Sequence, residues 1–128
     1  VSSLPDNVEK LIARALDSPV QLDALLVILL EPGRAWTAST LASALRIGEA
    51  QAARRLDELC ARSFLDLTVA DTLIYRYAPA NSDLAESAAA LQRTCITQRD
   101  VVLDRILALG NDHVRLFSEA FRLGKKKP

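Results

Sequence analysis

The chain has 128 residues, half of them hydrophobic, and its 16 basic and 16 acidic side chains cancel. One core of ordinary size is within reach, and without bulk charge there is no general pull toward nucleic acid or an anionic membrane, so any basic surface must be local. The longest apolar run, Ala24 to Leu30, is far too short to span a bilayer, and the first residues lack the basic-then-apolar order of a signal peptide; a soluble, cytoplasmic protein with no membrane contact is expected.

Pro5 and Asp6 suit the first turn of a helix that carries Val8, Leu11, Ile12, Ala15 and Leu16 on one face. Ser18 followed by Pro19 is an N-cap and first-turn pair, and QLDALLVILL behind it is apolar on nearly every side until Glu31-Pro32-Gly33 stops it, which places this second helix at the centre of the core. Ala35-Trp36 makes a brief extended piece. Thr37 then caps a helix with Leu41, Ala42 and Leu45 inward, Arg46-Ile47-Gly48-Glu49 interrupts it, and a further helix from about Glu49 to Arg62 buries Ala52, Ala53, Leu56, Leu59 and Cys60.

Leu65, Leu67 and Val69 alternate with Asp66 and Thr68, and after Ala70-Asp71 the stretch TLIYRYA is rich in strand formers, so a two-stranded hairpin is expected. Pro79 ends it. Ser82 caps a long helix in which Leu84, Ala88, Leu91, Cys95, Val102, Ile106 and Leu109 recur at helical steps, with Gln98 the one break in the seam. Gly110 is expected to close that helix, and Asn111 or Asp112 to start a last one holding Val114, Phe117, Ala120 and Phe121 together before Gly124 and KKKP.

This order of helix, brief strand, helix, tight turn, helix, hairpin and helix is that of a winged helix-turn-helix. Leu41, Ala42, Leu45 and Ile47, followed by Arg54, Arg55, Leu56, Leu59 and Arg62 and then Phe64-Leu65, resemble the DNA-binding core of MarR-like bacterial transcriptional regulators. The resemblance covers roughly residues 19 to 80 and implies a mainly α fold, a winged helix-turn-helix with a small β-hairpin wing and a long C-terminal helix. It divides the chain into an N-terminal helix (1–18), the winged helix-turn-helix (19–80), C-terminal dimerisation helices (81–124) and a basic tail (125–128).

The implied function is duplex DNA binding by a homodimer that joins through those C-terminal helices. Gln51, Arg54 and Arg55 would meet the major groove, and Arg34, Arg46 and Arg76 the phosphates. All six bases between residues 32 and 80 are arginine, the side chain suited to bidentate phosphate and guanine contacts.

The sequence departs from the family in two places. The recognition helix opens Gly48-Glu49-Ala50, where serine, threonine or basic residues are usual. Glu49 can accept from a cytosine amino group, and an acid at a helix N-terminus is also favoured on local grounds. The wing tip, Val69-Ala70-Asp71-Thr72, carries an acid and no arginine. With the zero net charge, these departures support an alternative, a winged-helix module that holds another protein and has little affinity for DNA.

No glycine-rich phosphate loop, nucleophile elbow or paired acids occur, so neither an enzyme nor a cofactor is expected. His113 has no ligand spacing around it, and Cys60 and Cys95 lie on apolar stripes, which reads as structural burial rather than metal binding or redox sensing. Trp36 beside Arg34 is a core plug or a stacking platform. The final helix with its three lysines resembles a membrane-surface segment, but packing across a dimer accounts for it better.

Overall fold

The computed structural model describes residues 4–126, with side chains through Leu109. Its elements follow as α1 (Asp6–Ala15), α2 (Pro19–Leu30), β1 (Ala35–Trp36), α3 (Ala38–Leu45), α4 (Glu49–Ala61), β2 (Leu65–Val69), β3 (Leu73–Tyr77) and α5 (Ser82–Lys126). The helix starts are set by local polar groups. Ser18 Oγ accepts from the Gln21 amide at 3.2 Å with Pro19 in the first turn of α2, and Thr37 and Thr40 exchange bonds in a reciprocal capping box at α3. At α1 the Pro5 carbonyl takes the amides of Val8 and Glu9 instead of a side-chain cap.

The brief extended piece proves to be a strand. β1 pairs antiparallel with β3, which also pairs with β2, so the wing is a three-stranded sheet ordered β1-β3-β2 rather than a hairpin alone. Two residues are too few for any alternation to reveal, and the pairing is held by Trp36 facing Tyr75 across the strands, both buried. Trp36 therefore belongs to the core, as the plug reading holds.

One continuous core joins every helix. Val8 and Ile12 of α1, Leu22, Leu25 and Ile28 of α2, Leu41 of α3, Leu56 and Leu59 of α4, Phe64 beside β2, and Leu91 and Ile106 of α5 are all essentially inaccessible to water. Each such side chain contributes about 1.5–3 kcal/mol by leaving water. Leu45 and Ile47 pack only against the edge of this core. The pair α3 and α4 thus rests on α2, and its other side is left to solvent.

The expected stop at Gly110 is corrected, because α5 continues unbroken past it to Lys126. A glycine inside a helix costs about 1 kcal/mol relative to alanine, and with no proline behind it that is too little to end a helix. The break in helical geometry falls earlier, at Gln98 (φ −131, ψ 36), the residue that interrupts the apolar seam. Leu84, Ala88 and Leu91 before it and Val102 and Ile106 after it still reach the same core. Arg99 pairs with Asp23 of α2, and Arg105 with Glu9 of α1 at 3.2 Å, so ion pairs tie the second half of this stretch to both neighbours. The side chains of His113, Val114, Phe117, Ala120 and Phe121 lie outside the described residues.

Among the described residues no helix is long and apolar enough to cross a membrane, and no cluster of three or more histidine, cysteine or acidic side chains is spaced to hold a metal ion.

Candidate nucleic-acid interface

Helix α4 buries Ala52, Leu56 and Leu59 and turns Glu49, Ala50, Arg54, Asp57 and Ala61 outward. The spacing of Ala50, Arg54, Asp57 and Ala61 puts them in one stripe along the helix. Arg54 is exposed in the middle of that stripe, between Ala50 and Asp57, and forms no ion pair or side-chain hydrogen bond among the described residues. Gln51 lies on the flank of the helix, half-buried.

Arg55, one residue on, has a different fate. Its side chain is only 12% exposed, with Nη1 donating to Ser18 Oγ at 3.2 Å and Nη2 to Glu58 Oε2 at 3.3 Å. Nε lies 3.3 Å from Glu58 Oε1 without hydrogen-bond alignment. A step of one residue rotates a side chain by about 100° around a helix, enough to carry Arg55 from the outer face to the seam with α2. Arg55 is thus engaged inside the protein and not turned to the outer face with Arg54.

Arg46 is exposed at the joint between α3 and α4 and adopts the left-handed conformation (φ 58, ψ 49), and the next amide, Ile47, bonds the Ala42 carbonyl at 3.1 Å. For a residue with a Cβ this conformation costs about 1–2 kcal/mol, yet the glycine two positions on, Gly48, has an ordinary negative φ. The left-handed position of the turn is thus taken by the arginine and not by the glycine.

Arg34 directly precedes β1, and Arg76 lies on β3. The Arg34 guanidinium lies 4.1 Å from the centre of the Trp36 ring and 3.7 Å from Glu31, and its side chain is still 40% exposed. Arg76 is exposed on β3, with Ala35 facing it on one neighbouring strand and Asp66 on the other. The structure thus leaves Arg34, Arg46, Arg54 and Arg76 at the surface, two on the helix pair, one just before β1 and one on β3.

A contact that sequence reasoning did not find joins the two parts. The Tyr75 hydroxyl of β3 donates to the Asp57 carboxylate of α4. Burial, reinforced by that hydrogen bond, pushes the Tyr75 hydroxyl up to about 12, so it stays a donor throughout the neutral range. The bond fixes the sheet against the helix, and no local pattern could have disclosed it, since the partners sit 18 residues apart. Toward the tip of the wing, which carries Asp71, apolar side chains are also left to water: Val69 is 74% exposed, and Leu67 and Leu73 face water too.

The two cysteines are half-buried. Burial raises the thiols of both Cys60 and Cys95; Asp57 and Asp66 push Cys60 further the same way, while Arg99 acts against the rise at Cys95. A raised thiol is a poor nucleophile at neutral pH, consistent with a packing role.

No protein-family model matches the chain, and no curated protein matches it either. Solved structures do. A MarR family transcription regulator, SP03579, superimposes with a TM-score of 0.53 at 19% identity, covering 93% of this chain and 82% of the other. The transcriptional regulator Tm0710 from Thermotoga maritima gives a TM-score of 0.51 at 14% identity, covering 95% of this chain and 88% of the other. Helix order, a three-stranded wing, the long final helix and these superpositions agree: the chain has the MarR-like winged helix-turn-helix fold.

Proposed function

We propose that the protein is a DNA-binding transcriptional regulator, not an enzyme, that acts in the cytoplasm as a homodimer joined through its C-terminal helices. Residues 19–80 would form the DNA-contacting unit and residues 81–124 the dimerisation unit. The single observation that carries the reading is the outward, exposed position of Arg54 on α4, the helix that a winged helix-turn-helix lays in the major groove. Arg54 meets base edges or phosphates there, with Gln51 at its flank, while Arg46 at the turn, Arg34 before β1 and Arg76 on β3 meet backbone phosphates. Arg55 serves inside, holding α4 to the start of α2.

Exposed Ile96 and Leu107 leave α5 with apolar surface that a second copy would cover. The two α4 helices of such a dimer would enter half-sites separated by about one helical turn, 10–10.5 base pairs.

The exposed apolar side chains of the wing favour a second reading, in which the same fold holds a partner protein. Leu67, Val69 and Leu73 are exposed where a DNA-binding wing would carry arginine or lysine. Fluorescence anisotropy separates the two. Labelled duplexes, random and from the region upstream of the gene, are titrated at low and at physiological salt. A regulator binds one duplex tightly over a weaker, salt-sensitive background, and Arg54→Ala weakens that binding by about 1–3 kcal/mol with fold and assembly intact. Flat traces, or weak binding that salt removes equally from every duplex, overturn the DNA reading in favour of the protein partner.

A further inference from the structure

Away from the α4 face, charge converges in a cleft of ≈ 390 Å³ walled by α1, by the turn that follows α4 and by the start of α5. Lys10 and Arg14 line it from α1, Arg62 from the C-cap of α4 and Asp83 from the first turn of α5. Three cations and one carboxylate thus share the lining. Ser63 and Asn81 complete the polar wall.

The cations differ in how they are held. Arg62 is fixed, with Nη1 donating to the Ala15 carbonyl at 2.7 Å and Nη2 meeting Asp17 at 3.3 Å. Lys10 and Arg14 are exposed and lie a turn apart on α1, and neither forms an ion pair among the described residues. Ser63 takes a left-handed φ of 71, where glycine is usual after a helix, so the chain keeps a hydroxyl on the cleft wall against its backbone preference. The volume is that of a small-molecule site, and most of its lining is polar, with Leu11 and Leu84 among the exceptions.

The geometry points to a binding site for a small oxyanion, a phosphate monoester or a carboxylate. Its charge is met by Lys10 and Arg14, which pair with no acid among the described residues, while Arg62, held by Ala15 and Asp17, forms a fixed wall beside them. With Asp17 set against Arg62 and Asp83 against one of the other two cations, one positive charge is left for the ligand to meet. The site does not rest on the DNA reading, because none of its residues lies on the outer stripe of α4.

Calorimetric titration and thermal unfolding test it on the full chain, with glycerol phosphate, succinate and citrate each compared with sodium chloride at matched ionic strength. The expected result is saturable binding and a raised Tm for one class of anion. Affinity should fall about tenfold or more in the double variant Lys10→Ala, Arg14→Ala, and be retained in Arg54→Ala. A response to glycerol phosphate alone assigns a phosphate monoester, and one to citrate or succinate assigns a carboxylate. Arg14→Gln, which keeps a polar side chain, repeats the comparison should the double variant fail to fold. Heats no greater than those of chloride, equal affinity in the cleft variants, or loss in Arg54→Ala instead would each overturn the site.

Discussion

Arg54 and Arg55 are adjacent and chemically identical, and the structure predicts that truncating them has opposite consequences. Arg55→Ala removes two hydrogen bonds, one to Ser18 and one to Glu58, from a side chain that is 12% exposed. It also strands the Glu58 carboxylate, which is 30% exposed and so keeps part of its hydration. Breaking a fully buried pair costs about 3–5 kcal/mol and a surface pair under about 1 kcal/mol, so a destabilisation of about 2 kcal/mol is expected here. With an unfolding entropy of about 2.1 cal/mol/K per residue, that lowers Tm by about 7 °C in a chain of this length. Arg54→Ala touches no internal partner and should leave stability within about 0.5 kcal/mol of the parent.

Thermal and urea unfolding of both variants, together with Glu58→Ala and the Arg55→Ala, Glu58→Ala double variant, measure the coupling directly. Most of the Arg55 cost should vanish when Glu58 is already absent. An Arg55→Ala protein as stable as the parent that lost DNA affinity as fully as Arg54→Ala would refute the internal latch and return Arg55 to the groove.

Three other outcomes follow from single positions. Tyr75 holds its proton up to about 12 when folded against 10.0 when unfolded, because of burial first and the bond to Asp57 second. The sign is that of a raised group: the contribution is whole below pH 10 and is lost as pH rises toward 12, an effect of no more than about 2–3 kcal/mol. Urea titrations at pH 8, 10 and 11 should show Tyr75→Phe less stable than the parent at pH 8 by about 1 kcal/mol, with the difference shrinking or reversing at pH 11; parallel pH profiles would contradict it. Arg46→Gly should raise stability by up to about 1 kcal/mol by relieving the left-handed turn while weakening DNA binding and lowering its salt slope by about 1, and a destabilised variant would show that the arginine makes the turn. Gln21 is fully buried, and neither its amide nitrogen nor its oxygen has a hydrogen-bond partner among the described residues. Gln21→Met, nearly the same shape without those groups, should stabilise by about 1–3 kcal/mol, and a loss of stability would mean that the amide is satisfied after all.

What was legible in the sequence divides along the range of the interactions responsible. Ser18 and Thr37 act on amides three residues ahead, so their caps could be placed from spacing alone, as could the strand β2 and the apolar stripes of α4 and α5, although of the alternating residues of β2 only Leu65 is buried. Gln98 could be singled out because it breaks a seam, and that is where the helical geometry gives way. The outer face of α4 was legible only in part. Helical spacing sets Arg55 beside the buried stripe of Ala52, Leu56 and Leu59 and Arg54 away from it, but the partner that ties Arg55 to the rest of the fold, Ser18, is 37 residues away, and it takes the assembled core to bring the two together.

The same holds for Tyr75 and Asp57, and for Arg62, whose partners Ala15 and Asp17 stand on the far side of α2 in the chain. These tertiary bonds share a consequence for the site. Arg55 and Arg62 tie two points along α4 to the segment between α1 and α2, and Tyr75 ties the same helix to the wing. The side chain proposed to contact DNA extends freely from a helix that is held along its length. That is the division of labour a recognition helix requires, because the cost of ordering the scaffold is met during folding and only the reaching side chain is left to be immobilised on binding.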